Sequence, residues 1–383
     1  MIKILELFGG IGACSKALKK LGIPFEIADY VEIDKYAVAS FNAINNTNFK
    51  AQDISNWNKT IDVDLIMHGS PCQDFSLAGK QAGGDKNSGT RSSLMYETLR
   101  IVENLKPKYV IWENVKNLVS KKHIHNFKEY IYEMEKIGYK NYYKILNEKD
   151  YGIPQNRERV FTISIRNDIK KDFKFPKKQE MKLKLKDFLD EKVEDKYFLS
   201  NEKIERIANW KSYQKPFKKV NGNNSIIPTI TARGAGEEHS GMITYCPFFN
   251  ETKDIQEKCL NINNATKKGY LEAKDGDGIN ISSRMKYQRG NVQRNIIQTI
   301  TTSGGNDRAV LLEKDNQLKI RKLTPRECWK LMGFEDDDYE KVKNINSPSQ
   351  LYKQAGNSIV VNVLENIFKI LLKEELWNYI VMR

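Results

Sequence analysis

Cysteine is scarce in this sequence, and no two cysteines form a C-x-x-C pair. The five cysteines lie scattered along 383 residues, at Cys14, Cys72, Cys246, Cys259 and Cys328. An odd set without metal-ligand spacing argues against a disulfide framework or a zinc site and indicates free thiols in a reducing cytoplasm. The sequence also lacks any apolar run near the roughly 20 residues that span a bilayer. Its first residues, MIKILELFGG, read directly as a strand rather than as a signal peptide. We therefore expect a cytoplasmic protein with no membrane partner.

Acidic residues are outnumbered by basic ones. The chain has 63 Lys and Arg against 49 Asp and Glu, which gives a formal net charge of +14. Such an excess favours a polyanionic partner, nucleic acid before membrane. Lysine-rich proteins of every function occur in AT-rich genomes, so the charge alone does not decide the partner.

The first part of the chain alternates short apolar strands with amphipathic helices. Strands are predicted at 2–7, 25–31, 64–68, 109–112 and 143–146, and helices at 13–21, 35–44 and 94–105. This rhythm predicts an α/β fold with a mostly parallel sheet covered by helices on both faces. Ligands bind such sheets at the carboxyl ends of the strands. The residues that directly follow strands are therefore the first candidates for a site.

The composition changes near residue 168. Residues 170–196 are dense in lysine and acid, and glycine- and threonine-rich short strands follow in IPTITARGAG and IQTITTSGG. The shared I-x-T-I-T is either a weak internal repeat or two unrelated hairpins with similar turns. Helical periodicity returns at Arg321, and LYKQAGNSIVVNVLENIFKILL predicts one long terminal helix. We predict one domain at 1–175 plus 346–383, and a smaller β-rich domain with a hinge at 176–345.

A glycine-rich turn follows the first predicted strand, in LELFGGIGACSKAL. Its spacing is F-x-G-x-G, and it lacks the third glycine of the dinucleotide fingerprint, so no pyrophosphate grip is predicted. Glu32, after the second strand, can bind ribose hydroxyls, and Asp53 can accept a hydrogen bond from an adenine amino group. A ribose, an adenine and a carboxylate without phosphates describe S-adenosylmethionine. A turn glycine with two surface acids is the alternative interpretation.

A candidate nucleophile lies at the end of another strand. Cys72 follows a proline and precedes a glycine-rich segment, 73–91, with the composition of a lid. Glu113 ends the apolar strand YVIWENV, where a carboxylate is costly unless it is partnered or protonated. Arg157 and Arg159 alternate in QNRERV and should share one face, and a cation near Cys72 would depress the thiol pKa from about 8.5. Cys72 alone could be inert, but the order of these segments favours a nucleophile.

Six motifs in sequence order resemble those of the DNA cytosine-5 methyltransferases. They are LELFGGIGACSKAL, SPCQDFS, ENVKNLVS, YGIPQNRERVFTISIR, RKLTPRECWKLMGF and QAGNSIVVNVL. The resemblance covers nearly all of the chain outside residues 170–295. Ile33 stands where the family often has an aromatic residue against the adenine, so the stacking partner is open. Glu335 replaces a common proline after Gly-Phe.

The resemblance implies a Rossmann-like S-adenosylmethionine-dependent methyltransferase domain and covalent catalysis on a cytosine that is flipped out of the duplex. The Cys72 thiolate would add to carbon 6 of the base, so that carbon 5 gains the electron density to take a methyl group. Glu113 would supply a proton at N3. Arg159 would hold the exocyclic oxygen, and Arg157 would support the same edge. The β-rich domain would then be the target-recognition domain.

The resemblance also assigns binding residues. S-adenosylmethionine is expected to contact Phe8, Gly10, Gly12, Glu32, Ile33, Asp53, Ile54, Pro71, Leu94, Asn357 and Ser358. Asn357 and Ser358 are predicted to cap the last helix, which for Ser358 could be a purely structural role. Double-stranded DNA is expected to contact Gln73, Ser76, Arg233, Ser303, Gly304, Asn306 and Arg308. The preferred base-reading loop is 303–308, for which a plain hairpin turn is the alternative.

Other functions share parts of this pattern. Cytosine-5 methyltransferases that act on tRNA share the catalytic motifs, but the long insert between Arg166 and Arg321 favours DNA. A catalytically inactive DNA-binding relative is disfavoured by the intact Cys72 and Glu113, and a nicotinamide dehydrogenase by the missing third glycine. We predict a monomeric DNA (cytosine-5) methyltransferase that modifies a specific duplex sequence in restriction–modification or phage protection. A cognate restriction endonuclease is a partner it could have.

Overall fold

The computed structural model describes most of the chain in two compact units. The described residues are 1–72, 74–75, 83–86, 88–200, 259–264, 266–280, 290–302, 308–314 and 317–373. The first unit comprises Met1–Leu183, Thr299–Thr302 and Pro325–Arg383, and the second comprises Lys184–Gln298 and Ser303–Thr324. Within the described ranges no helix has the length and apolarity needed to cross a membrane.

The first unit is built on a six-stranded sheet. Its strands are β1 (Ile2–Leu7), β2 (Phe25–Val31), β3 (Leu65–His68), β4 (Tyr109–Val115), β5 (Tyr139–Asn147) and β7 (Glu158–Arg166), while β6 (Gln155–Asn156) is a short strand outside this sheet. The order across the sheet is β2-β1-β3-β4-β7-β5. The first four strands are parallel, whereas β7 runs antiparallel to both β4 and β5. The predicted mostly parallel α/β sheet is confirmed.

Eight helices of the first unit lie in the described residues. They are α1 (Ala13–Lys20), α2 (Lys35–Asn45), α3 (Met95–Leu105), α4 (Ile124–Lys136), α5 (Pro325–Lys330), α6 (Asp336–Val342), α7 (Pro348–Asn357) and α8 (Val361–Leu371). The predicted strands at 2–7 and 25–31 match β1 and β2, and the first three predicted helices differ by one residue at an end. Asp34 is the N-cap of α2, and its side chain accepts a hydrogen bond from the Tyr36 amide at 2.9 Å.

The core of the first unit surrounds strand β4, in which every residue is buried. Trp112 of β4 stacks on His68 of β3 with ring centroids 5.6 Å apart. The His68 Nε2 lies 3.0 Å from the hydroxyl of Tyr130 on α4. Burial lowers the pKa of His68 to about 3, so its ring is neutral. A neutral imidazole therefore fills the space between strand and helix at little electrostatic cost.

The second unit is β-rich, as predicted. Its described strands are β8 (Cys259–Asn263), β9 (Tyr270–Lys274), β10 (Gly278–Asn280), β11 (Asn291–Gln293), β12 (Ile297–Gln298), β13 (Arg308–Lys314) and β14 (Gln317–Lys322). Strands β8 and β9 form an antiparallel hairpin, and an antiparallel sheet has the order β11-β10-β13-β14. Its core includes the fully buried Ile279, Leu311 and Ile320.

The boundaries of the units differ from the predicted ones at both ends. Residues 176–183 and 325–345, expected in the β-rich domain, lie in the first unit. The physical reason for the second difference is packing: Trp329 on α5 is fully buried and donates its indole N–H to the Leu351 carbonyl at 3.0 Å. Lys16 on α1 also pairs at 2.7 Å with Asp338 on α6. Helices α5 and α6 therefore complete the first unit.

The single terminal helix predicted from the sequence is wrong. The segment forms two helices, α7 and α8, because Ser358 is extended, with φ −71° and ψ 160°. Gly356 lies so close to Thr301 that an added Cβ would be 2.5 Å from the Thr301 carbonyl carbon. The prediction that Asn357 and Ser358 cap the last helix is also wrong. Asn357 ends α7, Ser358 is its C-cap, and Val360 precedes α8 without a side-chain cap.

Replacing Trp329 with alanine tests whether α5 belongs to the first unit. We expect Trp329→Ala to lower the free energy of unfolding by about 3–5 kcal/mol, since a fully buried indole leaves a cavity and an unpaired carbonyl. Denaturant titration followed by the fluorescence and circular dichroism of the whole chain measures this change. Tyr132→Ala on the exposed face of α4 is the control, with an expected change within about 0.5 kcal/mol. Equal stabilities of the two variants would contradict the packing.

Candidate active site

Cys72 lies just beyond the carboxyl end of β3, in a connection that neighbouring strands hold. The Trp112 indole donates to the Ser70 hydroxyl at 2.9 Å, and the Asn114 amide donates to the Ser70 carbonyl at 3.2 Å. A turn follows, in which the Phe75 amide donates to the Cys72 carbonyl at 3.0 Å. These bonds fix the backbone of Cys72 relative to β4. Ser70 and Asn114 were not singled out from the sequence, although each lies within a quoted motif, SPCQDFS and ENVKNLVS respectively.

Glu113 has the partner that its burial requires. It is 9% exposed, and its Oε1 lies 3.0 Å from the Nε of Arg159. In the antiparallel register of β4 and β7, Phe161 lies opposite Glu113 and Arg159 lies opposite Val115. Arg159 is therefore two residues along β7 from the position opposite Glu113, on the same face of the sheet. Arg159 also donates to the Glu158 carbonyl at 2.9 Å. A buried carboxylate paired in this way keeps a fixed orientation.

Opposing electrostatic effects act on the pKa of the Cys72 thiol. Burial is the largest effect and raises the pKa of Cys72, and the charge of Glu113 acts in the same direction. The charges of Arg159 and Arg157 lower it, in that order. The net shift is upward, so the sequence-based expectation of a depressed thiol pKa is wrong for the ligand-free protein. The two arginines act as predicted, but desolvation of the half-buried thiol outweighs them.

Arg157 holds backbone rather than the carboxylate of Glu113. It is 2% exposed, and its guanidinium donates to the carbonyls of Ile300 at 3.2 Å, Gly356 at 3.3 Å and Ser358 at 2.8 Å. Its Nε lies 3.5 Å from the Oε1 of Glu148. The alternating arginines thus have different surroundings. Arg159 contacts the candidate acid Glu113, whereas Arg157 binds the three backbone carbonyls named above.

Glu148 is a buried acid of this cluster that sequence reasoning missed. It is 1% exposed, and burial raises its pKa, while the charges of Arg157 and Arg159 oppose that shift and favour the ionised carboxylate. In the sequence it is one acid in the charged stretch ILNEKDYGIP. Only its position two residues after the predicted strand at 143–146 could have drawn attention to it.

The glycine turn after β1 has an open face. A Cβ on Gly9 would lie 2.6 Å from the Tyr30 ring, and one on Gly12, at φ 82°, would lie 2.8 Å from Phe41. Gly10, at φ 53°, has no heavy atom within 4 Å of an added Cβ among the described residues. The Tyr30 hydroxyl donates to the Gly10 carbonyl at 2.5 Å. Glycine is needed for close packing on one side of the turn, while Gly10 leaves room for a ligand on the other.

The predicted cofactor residues surround this turn. Glu32 accepts from the Gly10 amide at 3.1 Å and from the Asp34 amide at 2.9 Å, and burial raises its pKa. Ile33 is 70% exposed. Asp53 is exposed and accepts from the Ser55 amide at 3.0 Å. Two carboxylates beside an uncovered apolar side chain fit a ligand with hydroxyls, an amino group and a planar ring, as S-adenosylmethionine has.

The other predicted cofactor residues lie on several segments. Ile54 is buried, and Phe8, Pro71 and Leu94 are half-buried. Phe8 adopts a positive φ of 52° at the start of the glycine turn. Asn357 is exposed, whereas Ser358 is buried and donates its hydroxyl to the Ile359 carbonyl at 3.1 Å. Their roles in binding stay predictions.

Most of the predicted DNA contacts lie outside the described residues. These are Gln73, Ser76, Arg233, Ser303, Gly304 and Asn306. Arg308 begins β13 and is 8% exposed. Its guanidinium donates to the side-chain oxygen of Asn280, opposite it in the ladder, at 3.1 Å. Arg308 therefore has an internal partner in the second unit, and base reading by this side chain stays a prediction.

The fold and these residues have the arrangement of a Rossmann-like methyltransferase, and comparisons with known proteins narrow the class. The family model described as C-5 cytosine-specific DNA methylase matches residues 2–373. Type II methyltransferase M2.ScrFI of Lactococcus lactis subsp. cremoris is 32% identical over 430 residues, covering 98% of this chain and 100% of the relative. Orphan methyltransferase M.SPRI of Bacillus phage SPR is 29% identical over 440 residues and covers 97% of each.

The chain belongs to the C-5 cytosine-specific DNA methylase family. It is a cytosine-5 methyltransferase, as its motifs predicted. Among solved structures, a Spodoptera frugiperda DNMT2 variant aligns with a TM-score of 0.63 at 20% identity, over 97% of this chain and 100% of that chain. This likeness supports the fold alone.

The balance of charges around Cys72 can be measured by alkylation. We expect the thiol of the ligand-free protein to titrate above the ordinary value of about 8.5, and Arg159→Gln to raise its pKa further, because the charge of Arg159 is the larger of the two that lower it. Mass spectrometry of the iodoacetamide-labelled peptide across pH measures both values. Arg166→Gln, at the other end of β7 and paired with Asp168, is the control. A wild-type value below 8 would contradict the assigned balance.

Proposed function

We propose that this protein transfers a methyl group from S-adenosylmethionine to carbon 5 of a cytosine in a specific duplex DNA sequence, through a covalent Cys72 adduct. One observation carries the proposal: Cys72, the Glu113–Arg159 pair and the open glycine turn all lie at the carboxyl ends of adjacent strands. Strands β1, β3 and β4 are adjacent and parallel, with Leu7 opposite His68 and His68 opposite Trp112. Their carboxyl ends therefore bring a cofactor turn, a nucleophile and an acid together.

The reaction follows from the chemistry of these groups. Carbon 5 of cytosine is a weak nucleophile, so the Cys72 thiolate adds at carbon 6 and Glu113 provides a proton at N3 of the ring. S-adenosylmethionine, when bound, supplies the methyl group. Arg159, which orients Glu113, holds the exocyclic oxygen and favours the thiolate. A water molecule then takes the carbon 5 proton, the electrons of that C–H bond expel the Cys72 thiolate, and the N3 proton returns to Glu113, which restores the ring.

The residues that would hold the cofactor are those around the glycine turn. Glu32 would bind the ribose hydroxyls in place of one of its present amide donors, and Asp53 would accept from the adenine amino group. Ile33 offers an exposed apolar surface to the ring. The helix α1 starts at this turn, and the positive end of its dipole suits a carboxylate at the methionine end; its Ser15 amide already donates to the buried Glu6 carboxylate at 3.1 Å.

We assign recognition of the DNA sequence to the second unit. It is β-rich, separate from the sheet that carries Cys72, and contains the segment 303–308 that the sequence motifs designate for base reading. The net charge of +14 favours a polyanion. Both a type II and an orphan methyltransferase are among the relatives. We propose a role in restriction–modification or phage protection, with a cognate endonuclease as a partner in the first case.

Replacing Cys72 with serine tests the nucleophile. We expect Cys72→Ser to abolish methylation while binding of S-adenosylmethionine and DNA is kept, because a hydroxyl is far less acidic than a thiol. Tritiated-methyl transfer to duplex DNA and to tRNA is the assay, and 5-fluorocytosine DNA traps the adduct. Cys259→Ser in the second unit is the matched control and should stay active. A trapped adduct that survives Cys72→Ser would refute the assignment of the nucleophile. Methyl transfer to tRNA but not to DNA would show that tRNA is the substrate.

Base reading by the 303–308 segment is tested at Asn306. An asparagine can contact adenine through two hydrogen bonds, and one lost base contact costs about 1–3 kcal/mol of discrimination. We expect Asn306→Ala to relax the methylated sequence at one position, as seen by bisulfite sequencing of the DNA of cells that express it. Arg308→Ala is the variant for comparison. The Arg308 side chain already donates a hydrogen bond to Asn280 within the second unit. An unchanged sequence with uniformly lower methylation in both variants would make this segment a scaffold.

A further inference from the structure

Glu148 is a buried carboxyl that the proposed reaction does not use. It begins the 3-10 turn Glu148–Tyr151, directly after β5. Its Oε1 lies 3.5 Å from the Nε of Arg157, and within the described part of the chain its Oε2 has no hydrogen-bond partner. A carboxyl so deeply buried is costly unless an opposite charge compensates it. Arg157 is that charge, and the pair explains the presence of both groups.

Arg157 in turn restrains backbone from two distant parts of the chain. Its guanidinium donates to Ile300 in the returning segment Thr299–Thr302, and to Gly356 and Ser358 at the end of α7. All of these acceptors are carbonyls, which bring no negative charge to balance the guanidinium. Glu148 is therefore the counter-ion of a cation whose other contacts are neutral.

The connection that Arg157 holds borders the active site. Ile359, next to Ser358, approaches Gly69 so that a Cβ on Gly69 would lie 3.5 Å from the Ile359 Cδ1. The same added Cβ would lie 3.8 Å from the Glu113 Oε2. The backbone fixed by Arg157 therefore faces the end of β3, from which the chain continues to Cys72.

We propose that Glu148 is a positioning residue, which acts through Arg157 to hold the α7–α8 connection against the end of β3. The inference rests on the proposed function in one respect, the assignment of Asn357 and Ser358 to the cofactor. Without its counter-ion, Arg157 is a buried cation that gains by turning away from the carbonyls toward water. The connection then loses its restraint, and cofactor affinity falls more than the rate of the chemical step.

The charges around Glu148 come from a small set of groups. Arg157, Arg159 and Glu113 act on it directly. Strands β5 and β6 and helix α8 also pack against its turn, but their charged side chains face elsewhere. Lys140 pairs with Asp172 and Glu365 with Lys20, whereas Lys144 and Lys369 are exposed.

Two measurements on Glu148→Gln test the proposal. Calorimetric titration of the ligand-free protein with S-adenosylmethionine should show a Kd raised roughly tenfold, the effect of losing one charge-assisted contact, with kcat lowered less than the affinity. The control is Asp150→Asn on the same 3-10 turn, whose carboxylate pairs with Lys178 and should affect neither value.

A shortened acid keeps the test decisive if the amide variant does not fold. Glu148→Asp retains the charge but withdraws it from Arg157, and we expect an increase in Kd between those of the wild type and Glu148→Gln. A Kd equal to that of the wild type in whichever variant folds would overturn the positioning role. Absence of methyl transfer by the wild type would instead refute the proposed function, so the two failures are distinguishable.

Discussion

The ion pair between Glu113 and Arg159 depends on the reversal of one strand. Strand β4 is parallel to β3, and its carboxyl end carries Glu113. Strand β7 runs antiparallel to β4, so that its first residues, rather than its last, lie at that end of the sheet. A parallel β7 would put Arg159 at the other end of the strands, near Tyr109 rather than Val115. The mixed sheet therefore does more than complete the core, because the antiparallel β7 places the Arg159 guanidinium beside the Glu113 carboxylate.

The same arrangement sets the resting state of the nucleophile. Burial raises the pKa of Cys72, and two arginines lower it without overcoming burial. A thiol in this balance is mostly protonated at neutral pH, which limits its reaction with adventitious electrophiles. A bound base that pairs with Glu113 would remove the effect by which that carboxylate raises the Cys72 pKa. On the proposed mechanism, the site would thus link formation of the thiolate to the presence of substrate.

Sequence reasoning succeeded where local pattern and tertiary structure agree. β1 and β2 were predicted to the residue because each is an apolar run bounded by turn residues. Cys72 and Glu113 were singled out because they follow such runs, and their catalytic roles stay predictions. The split between α7 and α8 was missed, since the apolar pattern continues through Ser358 and the cause is the close approach of Thr301 to Gly356. Glu148 was missed for a similar reason: nothing in its neighbours along the chain distinguishes a buried acid from a solvated one.

The motif QNR around β6 explains how the first unit can be discontinuous. Gln155 is fully buried; its side-chain amide donates to the Leu331 carbonyl at 2.9 Å, and its oxygen accepts from the Ile300 amide at 2.9 Å. Arg157, two residues on, donates to the Ile300 carbonyl. One short motif therefore binds both places at which the chain returns from the second unit. The polar side chains that serve the site also close the fold, so a change at either residue should be read as a change in both.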